Sequence, residues 1–327
     1  MSRTLNTRLT EKLGIEHPII SAPMAFAAGG ALAAAVSDAG GLGLIGGGYG
    51  NADWLEGQFA AAGNRPVGCG FITWSLAKQP ALLEQALAHA PRALMLSFGD
   101  PRPFAGAVHA AGAQLICQCQ TLAHVGQAIE AGAAVVVVQG TEAGGHGSRR
   151  ATFTLVPEAA DYLAKHAANT VLVAAGGIAD GRGLAAALML GADGVLVGSR
   201  FWASREALVP ASFHAAAIAA GGDGTVRQSA ADIVRGYAWP PEFDARVLKN
   251  AFTERWHGRD EELRATAGKL AGEYTAGVAR GDAQNAGVFV GEAAGLIHDV
   301  PAAAEIVTRL VTEAVALLER KAPGFVA

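Results

Sequence analysis

The chain has 327 residues, 51% hydrophobic and only 17% charged, with three cysteines and a formal net charge of −4. That balance supplies a large apolar core and excludes a basic nucleic-acid surface, and cysteines without a CxxC spacing exclude a disulfide or zinc scaffold. The opening MSRTLNTRLTEKLG has no apolar signal region and the most apolar run, 22–36, is broken by Pro23, Gly29 and Gly30, so the expectation is a soluble cytoplasmic protein with no membrane partner.

In chain order, short β-type runs alternate with alanine-rich helical stretches. The first strand, PIISA from Pro18, leads into SAPMA, where Pro23 forces an extended exit and Met24 offers a soft contact for a flat ring. The second, LGLIG from Leu42, is followed by the flexible GGGYGN, a ligand contact or a turn. Next come VGCGFIT from Val67, ALMLS from Ala93, QLICQ from Gln114 and AVVVVQ from Ala134. VLVAA from Val171 and GVLVG from Gly194 bring the strands to eight. Helical stretches over 31–38, 81–89, 121–131 and 183–190 fill intervals between them, and the AG and GA pairs before later strands match helix C-caps. Eight such βα units predict an α/β fold of the (β/α)8 TIM-barrel type.

One interval is longer, the 37 residues from Ala134 to Val171, and it contains QGTEAGGHGS. Loops after barrel strands line the C-terminal face, where catalytic groups collect. His146, set among glycines there, is therefore the candidate acid/base or anion donor. His17, His89, His166 and His298 have no such frame. After the seventh and eighth strands come AAGGIADGRG and VLVGSRF. Gly176, Gly177, Gly198 and Ser199 are predicted to cradle a phosphate through backbone N–H groups, with Asp180 capping the next helix. From 207 to 290 the composition shifts to charges and aromatics, predicting a helical insertion over the barrel mouth with Tyr237, Trp239 and Trp256 in its own core. In VPAAAEIVTRLVTEAVALLER, Ile306, Val307, Leu310, Val311, Ala314, Leu317 and Leu318 share a helical face, predicting a C-terminal helix that packs back on the barrel. The expected division is 1–206 with 291–327 as barrel and 207–290 as insertion.

No HExxH, GxSxG or P-loop pattern occurs, which removes zinc protease, serine hydrolase and NTPase readings. The segments HPIISAPMA, GGLGLIGGG, QGTEAGGHGS, AAGGIADGRG, GADGVLVGSRF and GEAAGLIHDVPAA together resemble the nitronate monooxygenases, formerly 2-nitropropane dioxygenases. The resemblance covers nearly the whole chain, and AGGHG is its most specific part. It implies FMN on the C-terminal face, its phosphate in the two glycine loops and its isoalloxazine on the backbone of Ala22, Pro23 and Met24. It also implies Gln139, Gly144 and Gly145 beside the flavin, with His146 as the catalytic histidine. The implied reaction oxidises alkyl nitronates, or nitroalkanes, with O2 to a carbonyl compound and nitrite. Two positions depart from the pattern: Gly70 stands where many relatives carry Asn, and Gln118 where some carry Lys, which bears on flavin potential and substrate charge. Two alternatives stand beside this reading. One is an FMN-dependent NAD(P)H reductase of the enoyl-ACP or quinone reductase type. The other is a non-flavin phosphate-binding isomerase or synthase, for which Glu142 is the nearest acid. The partners expected are a small-molecule substrate and O2, with a homodimer compatible with the sequence.

Overall fold

The strands form at the apolar runs that predict them. In the computed structural model, which describes residues 4–320, these are β1 (Ile19–Ser21), β2 (Leu44–Gly46), β3 (Gly68–Ile72), β4 (Ala93–Ser97), β5 (Gln114–Cys119) and β6 (Val135–Gln139). They continue with β7 (Gly145–Gly147), β8 (Val171–Ala175), β9 (Gly194–Val197), β10 (Thr225–Gln228) and β11 (Asp244–Leu248). The outermost residues of the expected barrel segments, 1–3 and 321–327, lie outside the described residues.

Eight of these strands form one parallel sheet in the order β1-β9-β8-β6-β5-β4-β3-β2. A parallel bridge between Ile20 and Leu42 brings its two edges together, with Ser21 N–H donating to Leu42 O at 3.0 Å and Leu42 N–H to Ile19 O at 2.9 Å. The sheet is thus a nearly closed TIM-type barrel with helices outside.

Side-chain alternation along each strand divides the core in two. Val135 and Val137 face the barrel interior with Met95, Ile116, Val173 and Leu196. Val136 and Val138 face the helices instead. All four valines are fully buried, which is why the run reads as continuously apolar. The short helix Arg8–Leu13, started by a Thr7–Thr10 capping box, closes the bottom by adding Leu9 and Leu13 to the interior cluster. Burying side chains of this kind contributes about 1.5–3 kcal/mol each.

The C-terminal helix Ala303–Arg320 buries Ile306, Val307, Leu310, Val311 and Ala314. It docks on the barrel helix Gly181–Met189, where Gly181 N–H donates to Glu313 Oε2 at 2.8 Å. Leu317 and Leu318 pack against the same core. The segment 207–290 is mostly helical, but it also contributes β10 and β11. These pair antiparallel with each other and with β7 from the long loop after β6. The loop that reads as loose in sequence is therefore a strand of a second sheet. That sheet ties the segment after β9 to the loop after β6. Among the described residues no helix is long and apolar enough to cross a membrane.

Candidate active site

The loops after the barrel strands enclose a cavity of about 550 Å³. Every candidate residue lines it: Ala22, Pro23, Met24, Gly70, Gln118, Gln139, Gly144, Gly145, His146, Gly176, Gly177, Gly198 and Ser199. Tyr49 of GGGYGN joins them.

One wall is a set of free backbone donors. Among the described residues, the N–H groups of Gly176, Gly177, Gly198 and Ser199 meet no acceptor. Gly176 and Gly177 hold φ of 101° and 75°, a conformation L side chains rarely adopt. Ser199 Oγ accepts from Gly291 N–H at 2.9 Å, so its hydroxyl proton stays available. Asp180 caps the next helix as predicted, accepting from Arg182 N–H at 3.0 Å and Gly183 N–H at 3.3 Å. Unmet N–H groups at one place suit an anion, so the wall fits a phosphate.

The floor carries the Gly70 departure. A Cβ at Gly70 would stand 2.4 Å from Pro23 Cγ, so the Ala22–Met24 segment sits where a side chain at 70 would otherwise be. Gln118 is drawn into an amide network: its Nε2 and that of Gln120 donate to Gln139 Oε1 at 3.1 and 3.0 Å. Gln139 Nε2 in turn donates to His146 O at 3.1 Å. These amides brace the backbone of the candidate histidine from below.

His146 itself is held from three sides. It sits on β7, opposite Ala245 of β11. Its ring stacks on Trp239 with centroids 3.4 Å apart and planes at 5°. Its Nε2 lies 2.8 Å from Asp232 Oδ2, the side chains being 8% and 3% exposed. Arg235 Nη2 donates to the other carboxylate oxygen at 2.7 Å. Burial holds the imidazole below the ordinary histidine range, with Arg235 and Arg227 adding to the effect and Asp232 pulling the other way. Burial prevails because it removes water from a nearly enclosed ring. The neutral ring therefore carries its proton on Nε2, toward Asp232. Nδ1, which has no hydrogen-bond partner among the described residues, is left as the basic nitrogen.

Two expectations about side chains change. Tyr237 and Trp239 are not insertion core: both line the cavity, with Tyr237 stacked on Tyr49 at 3.9 Å. Of the three, only Trp256 is buried in the cluster around Ile233, Phe252 and Leu263, while Tyr237 and Trp239 contact Tyr49 of the loop after β2. Glu142 is not free for chemistry either. Its carboxylate accepts from Thr152 N–H at 3.0 Å and from the Thr152 hydroxyl at 2.8 Å, capping the helix Thr152–His166. Sequence reasoning missed Asp232 and Arg235. Their signal was a single acid in the apolar run AADIV followed by Arg three residues on; a lone buried acid needs a partner.

The profile of the family described as nitronate monooxygenase matches residues 6–70 and 72–313. A nitronate monooxygenase of Metarhizium robertsii is 36% identical over 92% of this chain and 91% of its own length. A carboxyl-CoA dehydrogenase of Mycobacterium tuberculosis, acting on an octahydro-indene, is 28% identical over 96% and 98%. Among solved structures, FabK from Thermotoga maritima superposes with a TM-score of 0.87 at 31% identity, covering 99% of this chain and all of that one.

Proposed function

The chain belongs to the nitronate monooxygenase family, an enzyme family whose members imply a flavin, and from that premise we propose that it binds FMN and oxidises alkyl nitronates and nitroalkanes. The observation that carries this reading is the pairing, in one cavity, of an unmet N–H cradle with a neutral, carboxylate-anchored histidine.

Gly176, Gly177, Gly198 and Ser199 would hold the FMN phosphate, and Ala22, Pro23 and Met24 would lie along its ring. Gly144 and Gly145 would border the ring, as would the Gln118 and Gln139 amides, and Gly70 would support it through Pro23, which fills the space a Cβ at 70 would take. Bound there, FMN supplies the oxidising ring for conversion of the nitronate, with O2, to a carbonyl compound and nitrite. The chain's own part is proton handling. With a neutral nitroalkane, His146 Nδ1 takes the α-proton: the C–H bond breaks, an N–H bond forms, and the electron pair stays on the nitronate. The resulting imidazolium is stabilised by Asp232 at 2.8 Å and its Nδ1–H then donates to the anion it has made. A nitronate supplied as such needs only that donor. Asp232 is a positioning residue, fixing the tautomer and the ring angle, and Arg235 fixes Asp232.

The test is the visible spectrum of the purified protein, followed anaerobically while ethylnitronate is added. Bleaching of an oxidised-flavin band, with nitrite formed in air, is the expected result. A bound flavin indifferent to nitronate would overturn the reading. A second reading, an NAD(P)H-driven reductase of thioesters or quinones, draws on the likeness to the carboxyl-CoA dehydrogenase. Bleaching by NADH or NADPH without nitronate would favour it. The non-flavin reading loses its acid, since Glu142 is committed to Thr152 and, among the described residues, no Asp, Glu or Lys lines the cavity.

A further inference from the structure

We infer that the substrate carries an extended apolar chain running from His146 to a mouth formed by Phe26, Leu208 and Val278, and that a charged group at the far end of that chain is disfavoured. The inference rests on the reading above that flavin and substrate meet in this cavity.

The first observation is the rim. Phe26, Leu208 and Val278 are 50%, 49% and 38% exposed, three of the six large apolar side chains exposed among the described residues, and all three line this one cavity. Scattered exposed apolar residues carry no message, but a concentration at one opening marks a surface that an apolar ligand covers. They come from separate parts of the chain: the loop after β1, the segment after β9 and the helix Asp260–Ala279. Val209, Pro210, Phe213 and Ala271 continue the apolar wall inward.

Backbone strain is the second observation. Only three non-glycine residues of the described chain hold positive φ, and two of them, Phe26 at 62° and Phe98 at 63°, line the cavity. An aromatic residue in the left-handed region costs of order 1–3 kcal/mol and persists where the surroundings and function demand it. Phe98 is held beside the histidine, packing on Trp239 at 5.1 Å and 6.3 Å from the His146 ring, and Phe26 is held at the mouth, packing on Trp54 at 6.1 Å.

Charge is the third. Among the described residues the lining contains no Asp, Glu or Lys, and its one arginine, Arg235, is already matched. The guanidinium donates to Asp232 Oδ1 at 2.7 Å and to Ala231 O at 2.8 Å, and it lies over the Tyr237 and Phe289 rings at 4.9 and 5.0 Å. A carboxylate on the far end of a short substrate would be buried with no cation to meet it, which is costly.

The test is affinity, read by anaerobic calorimetry on the flavin-loaded protein with 1-nitrobutane, 1-nitrohexane, 1-nitrooctane and 4-nitrobutanoate. Binding should tighten about fourfold per added methylene while the chain stays inside the walls, and 4-nitrobutanoate should bind at least about tenfold more weakly than 1-nitrobutane. In Leu208→Asp and Val278→Asp, the ratio of octane to butane affinity should fall. A flat series, or a carboxylate that binds better than its uncharged counterpart, would overturn the inference. Oxidation is scored separately. If the affinity ladder holds but no member is oxidised, the proposed activity fails and the apolar site stands. If members are oxidised with a flat ladder, the reverse is true.

Discussion

At His146 the two ring nitrogens have different fates, one spent on Asp232 and one left for substrate. His146→Asn keeps an amide of similar size on the same strand but cannot take a proton. It should retain flavin while turnover falls by about 10²–10⁴-fold, checked by flavin content and nitrite release. Asp232→Asn removes the carboxylate that raises the imidazole against burial. Its acid limb in kcat/KM should therefore move to lower pH than in the parent, with kcat/KM lowered about 10- to 100-fold for the lost charged hydrogen bond. A lowered rate with an unmoved limb would make Asp232 merely structural. His146 was legible because loop, glycines and imidazole are contiguous in sequence. Asp232 was not, because its partner lies 86 positions away and only folding brings the two together. The cysteines show the opposite case. All three are free and buried, and burial pushes the Cys69 and Cys117 thiols up to about 12, in line with a spacing that excludes a disulfide or zinc scaffold.

Among the elements, β3 and the segment after β1 are fitted to each other at Gly70. Gly70→Asn would put a Cβ 2.4 Å from Pro23 Cγ and displace Ala22–Met24. Overpacking of this kind costs about 1–3 kcal/mol, so a lower melting temperature and a lower flavin content after purification are expected. A variant with full flavin and unchanged melting would show that the segment moves freely. The barrel strands were readable because buried runs of Val, Ile and Leu recur at βα spacing. The pair β10 and β11 was not, because its charges look like solvated helix surface. In the fold they are paired instead: Arg227 Nε on β10 donates to Asp244 Oδ1 on β11 at 2.6 Å, and Arg246 on β11 meets Glu292 of the turn Glu292–Leu296 at 2.9 Å. Tyr237 and Trp239 were misjudged for a related reason: composition says that aromatics will be covered, but not whether protein or ligand covers them.

For the whole molecule, three histidines with lowered proton affinity bear on the response to acid. His124, His146 and His214 all lie below the ordinary range, with burial the largest cause in each. A histidine depressed in the fold binds fewer protons there than in the unfolded chain. Its contribution is intact above the unfolded value of about 6.5 and is lost as pH falls through the folded value. The melting temperature should therefore drop between pH 7 and pH 5, and His146→Asn should drop less over that window than the parent. A parallel drop in both would assign the acid response to other groups. The strand pairing of His146 with Ala245 has a consequence for recombination. Base, orienting acid and stacking indole are split between the two sides of a seam, His146 on the loop after β6 and Asp232 and Trp239 on the segment after β9. A chimera that exchanges the segment after β9 alone would leave His146 without its paired strand, its acid and its indole, so that segment is expected to be exchangeable only together with the loop after β6.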